Sequence, residues 1–244
     1  DPPARPAPLL DEALVAELFT TGGTLTEAAG GRVLDALGVA RPRAILATTE
    51  QEAIAAAAEL GDRPLVFKIQ SPQIPHKSDV GGVRVGVDPG DAAQAFQEIR
   101  AAGDRVPGAR VEGVLVQALA RPGTELILGV QGARDGYPPV LTVGIGGVAT
   151  EIYADVASAL APLTPVRALE LLRRLRGWPL LDGYRGRPRA AVDAVVAALV
   201  ALSEAALALG ERLDELEINP LAVDEHGVMA LDLLIRSRGR GEDA

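Results

Sequence analysis

At 244 residues, 48% of them hydrophobic, the chain is long enough to bury a sizeable core as one two-lobed domain or two small ones, and with aromatics at only 3% that core must be built from Ala, Val and Leu. The absence of cysteine excludes disulfides, a thiolate nucleophile and cysteine-ligated zinc. A formal net charge of -9 argues against a nucleic-acid surface, so any phosphate-binding region is a local basic patch on an acidic protein.

The first residues, DPPARPAPLL, carry four prolines and read as a linker, and the absence of an initial methionine predicts a piece of something longer. No signal peptide or lipidation motif is visible. The most apolar stretch, 190–209, contains Asp193, Ser203 and Glu204 and reads as a packed helix rather than a membrane span. A cytoplasmic chain with neither membrane nor nucleic acid as partner is therefore expected. Helical pattern starts near Leu10 and is broken by 20–23. Thr24 with Glu27 has the spacing of a capping box, followed by a helix to about Leu37 that stops at Gly38. After a short strand at 44–47, Thr49 with Glu52 repeats that spacing before a helix ending at Gly61.

The stretch PLVFKIQSPQIPHKSDVGGVRVGV, residues 64–87, carries most of the chemistry. Leu65, Phe67 and Ile69 alternate with Val66, Lys68 and Gln70, the period of a strand buried on at least one face. Lys68 is thus a cation inside a strand: either it snorkels to the strand's edge, or an anionic ligand lies over its face. A loop follows with His76 and Lys77, then Gly81 and Gly82, a pair that can turn sharply and bring backbone amides close to a phosphate. Individually these read as a buried strand, a polar loop and a glycine turn; together they read as a phosphate site. It is not a P-loop, because GxxxxGK[ST] is absent and the lysine precedes the glycines.

Residues 91–102 read as a helix with Gly103 past its end, and 111–119, 125–131 and 140–143 as strands. Gly144 to Ala149 satisfies GxGxxA after a strand, but the β-branched and aromatic VATEIYADV that follows does not supply the helix a dinucleotide fingerprint needs, so tight turn glycines are the competing reading. Thr164 and Pro165 open a helix to about Leu175, a long helix spans about 188–209, and 213–235 forms a terminal hairpin. If 224–227 is a four-residue turn, cross-strand partners have numbers summing to 451, which sets Asn219 opposite Asp232. An amide oxygen facing a carboxylate suits Mg²⁺, and Glu217 on the same face adds charge or orients a ligand. The alternative is a turn-forming Asn before Pro220 and a solvated Asp. Strands and helices mix without strict alternation, which predicts an α+β (mixed α/β) fold.

HKSDVGG and, some 130 residues later, EINPL with its short hairpin and aspartate closely resemble the signatures of the nucleotide-binding, β-subunit-like ATP-grasp region of ADP-forming acyl-CoA synthetases; the resemblance covers about 20–236. It implies an ATP-grasp fold with the nucleotide between two lobes, 21–113 and 114–236, preceded by a lead-in at 1–20 and followed by a tail at 237–244. It further implies that Lys68 contacts nucleotide phosphates, that His76 carries a phosphoryl group with Lys77 balancing its charge, and that Asn219 and Asp232 hold Mg²⁺. By position Gln117 matches a hinge residue beside adenine and Glu125 an acidic residue of the nucleotide site; Glu151 and Asp155 match a glutamate and an aspartate after the family's GxGG. ATP or ADP and Mg²⁺ are the implied cofactors. The implied reaction is acyl-CoA + ADP + phosphate giving acid + CoA + ATP, completed by CoA-binding and ligase regions upstream or on a partner. Similar regions are fused to GNAT-type protein lysine acetyltransferases, where they look regulatory, and a GNAT partner with a regulatory role is the alternative expectation.

Overall fold

The computed structural model describes residues 10–147 and 154–238. In chain order the elements are α1 (Glu12–Leu18), β1 (Gly23–Leu25), α2 (Glu27–Ala36), β2 (Ala44–Ala47), α3 (Glu50–Leu60), β3 (Leu65–Gln70), β4 (Val83–Val87), α4 (Ala92–Asp104) and β5 (Gly113–Ala118). They continue with β6 (Thr124–Gln131), β7 (Val140–Ile145), β8 (Val156–Leu160), α5 (Pro165–Arg173), α6 (Trp178–Leu181), α7 (Val192–Leu209), β9 (Leu213–Val223), β10 (Val228–Ala230) and β11 (Leu233–Ser237). The chain forms two compact units, one of residues 26–29 and 42–121, the other of 10–25, 30–41 and 122–238. The division follows β5 rather than preceding it because β5 pairs with β2 and β3. The lead-in groups with the later residues because β1 pairs with β11.

The first of these units is an antiparallel sheet in the order β2-β5-β3-β4. Strand alternation sends Leu65, Phe67 and Ile69, with Val114 and Val116, to one face, where they form a buried core with α3 and α4. Ala53, Ala56 and Ala57 on α3, and Ala92, Ala95, Phe96 and Ile99 on α4, recur at the three- and four-residue spacing of a helix stripe, and the alanines allow close approach to the sheet. Gly103 does not stop α4, which runs on to Asp104. A side chain there would overlap Ile69 Cδ1 and come within 2.6 Å of Val111 Cγ2, so the glycine serves packing.

The predicted capping box of α3 is present, with Glu52 N–H donating to Thr49 Oγ1 at 3.2 Å and Glu52 Oε2 accepting from Thr49 N–H at 3.2 Å. Thr48 adds its hydroxyl and its N–H, each at 2.7 Å, to the same oxygen. These bonds, those from Thr48 foremost, hold the Glu52 carboxyl below its ordinary value of 4.5. A depressed value means that the stabilisation is complete above 4.5 and lost as the pH falls through the folded-state value. Thermal melts should therefore show Glu52→Gln less stable than wild type at pH 7, with the gap closing as the pH drops towards 3.

The other unit is a seven-stranded sheet in the order β1-β11-β9-β6-β7-β8, with β10 paired to β9. The terminal hairpin has the predicted register: Val223 opposes Val228 and Ile218 opposes Leu233. Its turn is held by Asp224 Oδ1, which accepts from the N–H groups of His226 (2.8 Å) and Gly227 (3.0 Å). Strand β7 is antiparallel to both β6 and β8, which removes the parallel crossover that a dinucleotide fingerprint requires. Helix α5 opens as its sequence predicts, with Thr164 Oγ1 accepting from Arg167 N–H and Pro165 in the first turn. Helix α7 is long and apolar enough by composition to cross a membrane. It is instead a core helix, burying Val195, Leu199, Leu202, Ala206 and Leu209, and its buried Ser203 hydroxyl accepts from Leu163 N–H at 2.8 Å.

Candidate functional site

Lys68 lies mid-strand on the face of the four-stranded sheet opposite the helices. Its neighbours there follow from register: Lys68 opposes Leu115 and Val83, Val66 opposes Gln117, and Gln70 opposes Gly113. Lys68, Gln70 and Gln117 therefore share one face, with Gln117 one diagonal step from Lys68, about 7–8 Å between backbones. Among the described residues eight polar or charged ones are buried, and six of them, Thr26, Lys68, Gln70, Ser71, Lys77 and Gln117, belong to this unit. Burying polar groups is costly unless they are paired or engaged by a ligand, so their concentration makes this unit the place to look for a site.

The structure gives Lys68 an anionic protein partner that the sequence reading did not name. Its ammonium does not snorkel out: Nζ is 2.6 Å from Glu27 Oε1, and Lys77 Nζ is 3.4 Å from Glu27 Oε2. The side chains of Lys68, Lys77 and Glu27 are 7%, 8% and 9% exposed, which makes this a buried charge cluster and not a surface ion pair. Glu27 was missed because the spacing from Thr24 disguised it as a capping residue. Thr24 instead belongs to β1, opposite Arg236, while the buried Thr26 accepts from Ala29 N–H at 3.4 Å. The available signal was the buried lysine itself, which demands an anion.

His76 immediately precedes a single helical turn, Lys77–Val80, and is exposed, so its imidazole is open to a reacting partner while its neighbour Lys77 is turned inward. The diglycine acts differently from the anticipated amide cradle. Gly81 N–H donates to Ser78 O (3.1 Å) and Gly82 N–H to Lys77 O (2.8 Å), so both amides close the loop and neither is directed to a phosphate. Gly81 takes a φ of 72°, and a side chain at Gly82 would come within 2.6 Å of Ile69 Cγ2. Gln117 is 4% exposed, and among the described residues its buried Oε1 finds no hydrogen-bond partner. An orphaned buried acceptor is costly and suits a ligand N–H.

In the seven-stranded unit, Asn219 and Asp232 stand opposite each other, with Asn219 N–H donating to Asp232 O at 3.1 Å. Asn219 Nδ2 donates to Glu217 Oε1 at 3.1 Å, a bond that does not use the acceptor capacity of the amide oxygen. Asp232 Oδ1 accepts from Leu233 N–H at 2.8 Å. Amide and carboxylate oxygens on one strand face are a hard donor set and fit Mg²⁺, with phosphate and water completing the shell. Among the described residues no three His, Asp or Glu side chains cluster as a self-sufficient metal cage. Glu125 is an exposed β6 residue whose backbone carbonyl accepts from Gly146 N–H at 2.7 Å. Glu151 lies outside the described residues. The carboxylate of Asp155 accepts from the N–H groups of Arg176 (2.8 Å) and Gly177 (2.7 Å), which gives it a structural task at the start of α6. His226 sits in the hairpin turn, 3.6 Å from Glu225.

The chain is 36% identical over 211 residues to the β subunit of ADP-forming acetate–CoA ligase I of Pyrococcus furiosus, covering 85% of this chain and 89% of that subunit. It is 38% identical over 223 residues to ADP-forming acetate–CoA ligase I of Archaeoglobus fulgidus, covering 91% of this chain but only 32% of that longer protein. Acetyl-coenzyme A synthetase 1 of Ca. Korarchaeum cryptofilum, solved with coenzyme A and Ca-AMPCP, superposes with a TM-score of 0.83 at 33% identity, over 88% of this chain and 94% of that one. The same synthetase solved with Mg-AMPPCP, its phosphohistidine segment pointing towards the nucleotide-binding site, gives 0.75 at 30% identity, over 88% and 93%. Residues 18–236 match the profile of the ATP-grasp domain, and with β-subunit relatives matched over most of their length, the chain belongs to the ATP-grasp family of ADP-forming acetate–CoA ligases.

Proposed function

We propose that the chain is the nucleotide-binding, phosphoryl-transferring domain of an ADP-forming acyl-CoA synthetase, which interconverts acyl-CoA, ADP and phosphate with acid, CoA and ATP. The observation that carries this reading is the buried Lys68–Glu27–Lys77 cluster on a sheet face, adjoined in sequence by the exposed His76. The four-stranded unit holds nucleotide phosphates through Lys68, and Gln117 Oε1 accepts from an exocyclic amine of the base. In the seven-stranded unit, Asn219 and Asp232 hold Mg²⁺, with Glu217 fixing the asparagine amide; bound Mg²⁺ neutralises charge on the phosphates.

His76 exchanges the phosphoryl group with nucleotide. In the direction from ATP, a neutral imidazole nitrogen attacks the γ-phosphorus, the N–P bond forms, and the bond to the β,γ-bridging oxygen breaks. ADP leaves with that electron pair, and the imidazole's remaining N–H proton equilibrates with solvent. In the direction of ATP synthesis the ADP oxygen reverses the same step. Lys68 stabilises charge on the transferring group. The chain spans about a third of the full-length ligase it matches, so CoA-binding and ligase regions, on the same or a partner chain, complete the reaction.

Calorimetric titration with ATP tests the reading. Wild type should bind ATP tightly only with Mg²⁺, and Asn219→Ala/Asp232→Ala should lose that dependence, with affinity falling about 10- to 100-fold. Equal affinity with and without Mg²⁺ in both chains would remove the metal assignment, and no binding in wild type would remove the nucleotide assignment.

A further inference from the structure

Glu27 has no place in the nucleotide chemistry above, yet its carboxylate is 9% exposed and paired with two lysines. It bridges two cations from separate elements, one on β3 and one in the turn after His76. The helix turn that carries it is itself fixed to the strand: Gln70 Oε1 accepts from Ala28 N–H at 2.9 Å, while Gln70 Nε2 donates to Ile69 O at 2.9 Å. Thr26 caps the same turn. We propose that Glu27 is a positioning residue: it fixes the Lys68 ammonium on the polar sheet face and, through Lys77, holds the His76-bearing loop in register with β3. The inference rests on the phosphoryl-transfer reading for its functional consequence but not for its structural one.

A charge argument alone gives the opposite expectation. A carboxylate beside two lysines repels phosphate, so if Glu27 only balanced charge, removing it should tighten Mg-ATP binding. If it positions, removing it takes away a carboxylate that orders both ammoniums, and binding and transfer both suffer. The sign of the change in Glu27→Gln therefore separates the two roles. The expected result is Mg-ATP binding weakened about tenfold and single-turnover phosphorylation of His76 slowed about 100-fold, a larger loss in transfer than in binding. Tighter binding, or a loss confined to binding, would overturn the proposal.

Hydrogen exchange on the nucleotide-free chain supplies the second reading. The amides of Asp79, Gly81 and Gly82 bond within the loop to His76 O, Ser78 O and Lys77 O, and Ile69 N–H bonds to Gly82 O. In Glu27→Gln, exchange at 79–82 should rise about tenfold, with α4 unchanged as a measure of intact folding. Lys77→Met, which leaves the Lys68–Glu27 pair in place, should loosen the loop to the same degree, and the double variant no further. This variant answers for the loop if Glu27→Gln fails to fold. Unchanged loop exchange in Lys77→Met, or additive loosening in the double variant, would overturn the proposal. A wild-type chain that binds no Mg-ATP would refute the functional reading while leaving exchange to decide the role of Glu27.

Discussion

His76→Ala should bind Mg-ATP as wild type does and take up no phosphoryl group from it. The side chain is exposed at the head of the Lys77–Val80 turn, outside the buried core, so its truncation removes a nucleophile without opening a cavity. Loss of a covalent carrier has no partial substitute among neighbouring side chains, so transfer should fall by at least about 10³-fold. Incubation with γ-labelled ATP, followed by peptide mapping of acid-labile, base-stable label, reads this directly. The chain has only two histidines, and the other, His226, lies in the 224–227 turn beside Glu225. Label retained in His76→Ala would therefore be assigned to His226 or refute a histidine carrier altogether.

Lys68→Met should weaken Mg-ATP binding and slow transfer by still more. A hydrogen bond from a charged donor contributes about 1.5–3 kcal/mol, or roughly 10- to 100-fold in affinity. Charge that develops in the transition state raises the penalty on transfer to roughly 10²–10³-fold. Methionine keeps much of the length and apolar stem, so the core beneath β3, formed by Leu65, Phe67 and Ile69 on the other face, should remain. Binding calorimetry and single-turnover labelling on one preparation check both parts. Equal losses in binding and transfer would show that Lys68 only holds the nucleotide; unchanged values in both would place the phosphates elsewhere.

The local elements were largely legible because they follow short-range rules. The period of two at 65–69, the capping box Thr49/Glu52 and the turn of the terminal hairpin each depend on residues a few positions apart. Once the 224–227 turn was placed, register carried the reading of that hairpin to Asn219 and Asp232 without further information. The misreadings have equally definite causes. Thr24 and Glu27 satisfy the spacing of a capping box, but Thr24 enters β1 and Glu27 turns to the lysines. Gly103 has the composition of a helix stop, but a helix packed tightly on β3 requires a residue without a side chain at that point. Gly81 and Gly82 have the composition of a phosphate cradle, but their amides are already bonded to loop carbonyls.

The sequence by itself therefore determined most of the strands and helices, the register of the terminal hairpin, and the two motif regions that identify the family. Tertiary structure alone decided how the charges are partnered and which polar atoms are left over. Glu27 meets Lys68 across 41 positions of sequence, a distance no periodicity spans. The orphaned oxygen of Gln117 arises only once β5 is buried between β2 and β3. Local preference is set by backbone geometry and side-chain spacing, whereas the cost of burying a charge or an amide depends on what the folded chain brings against it.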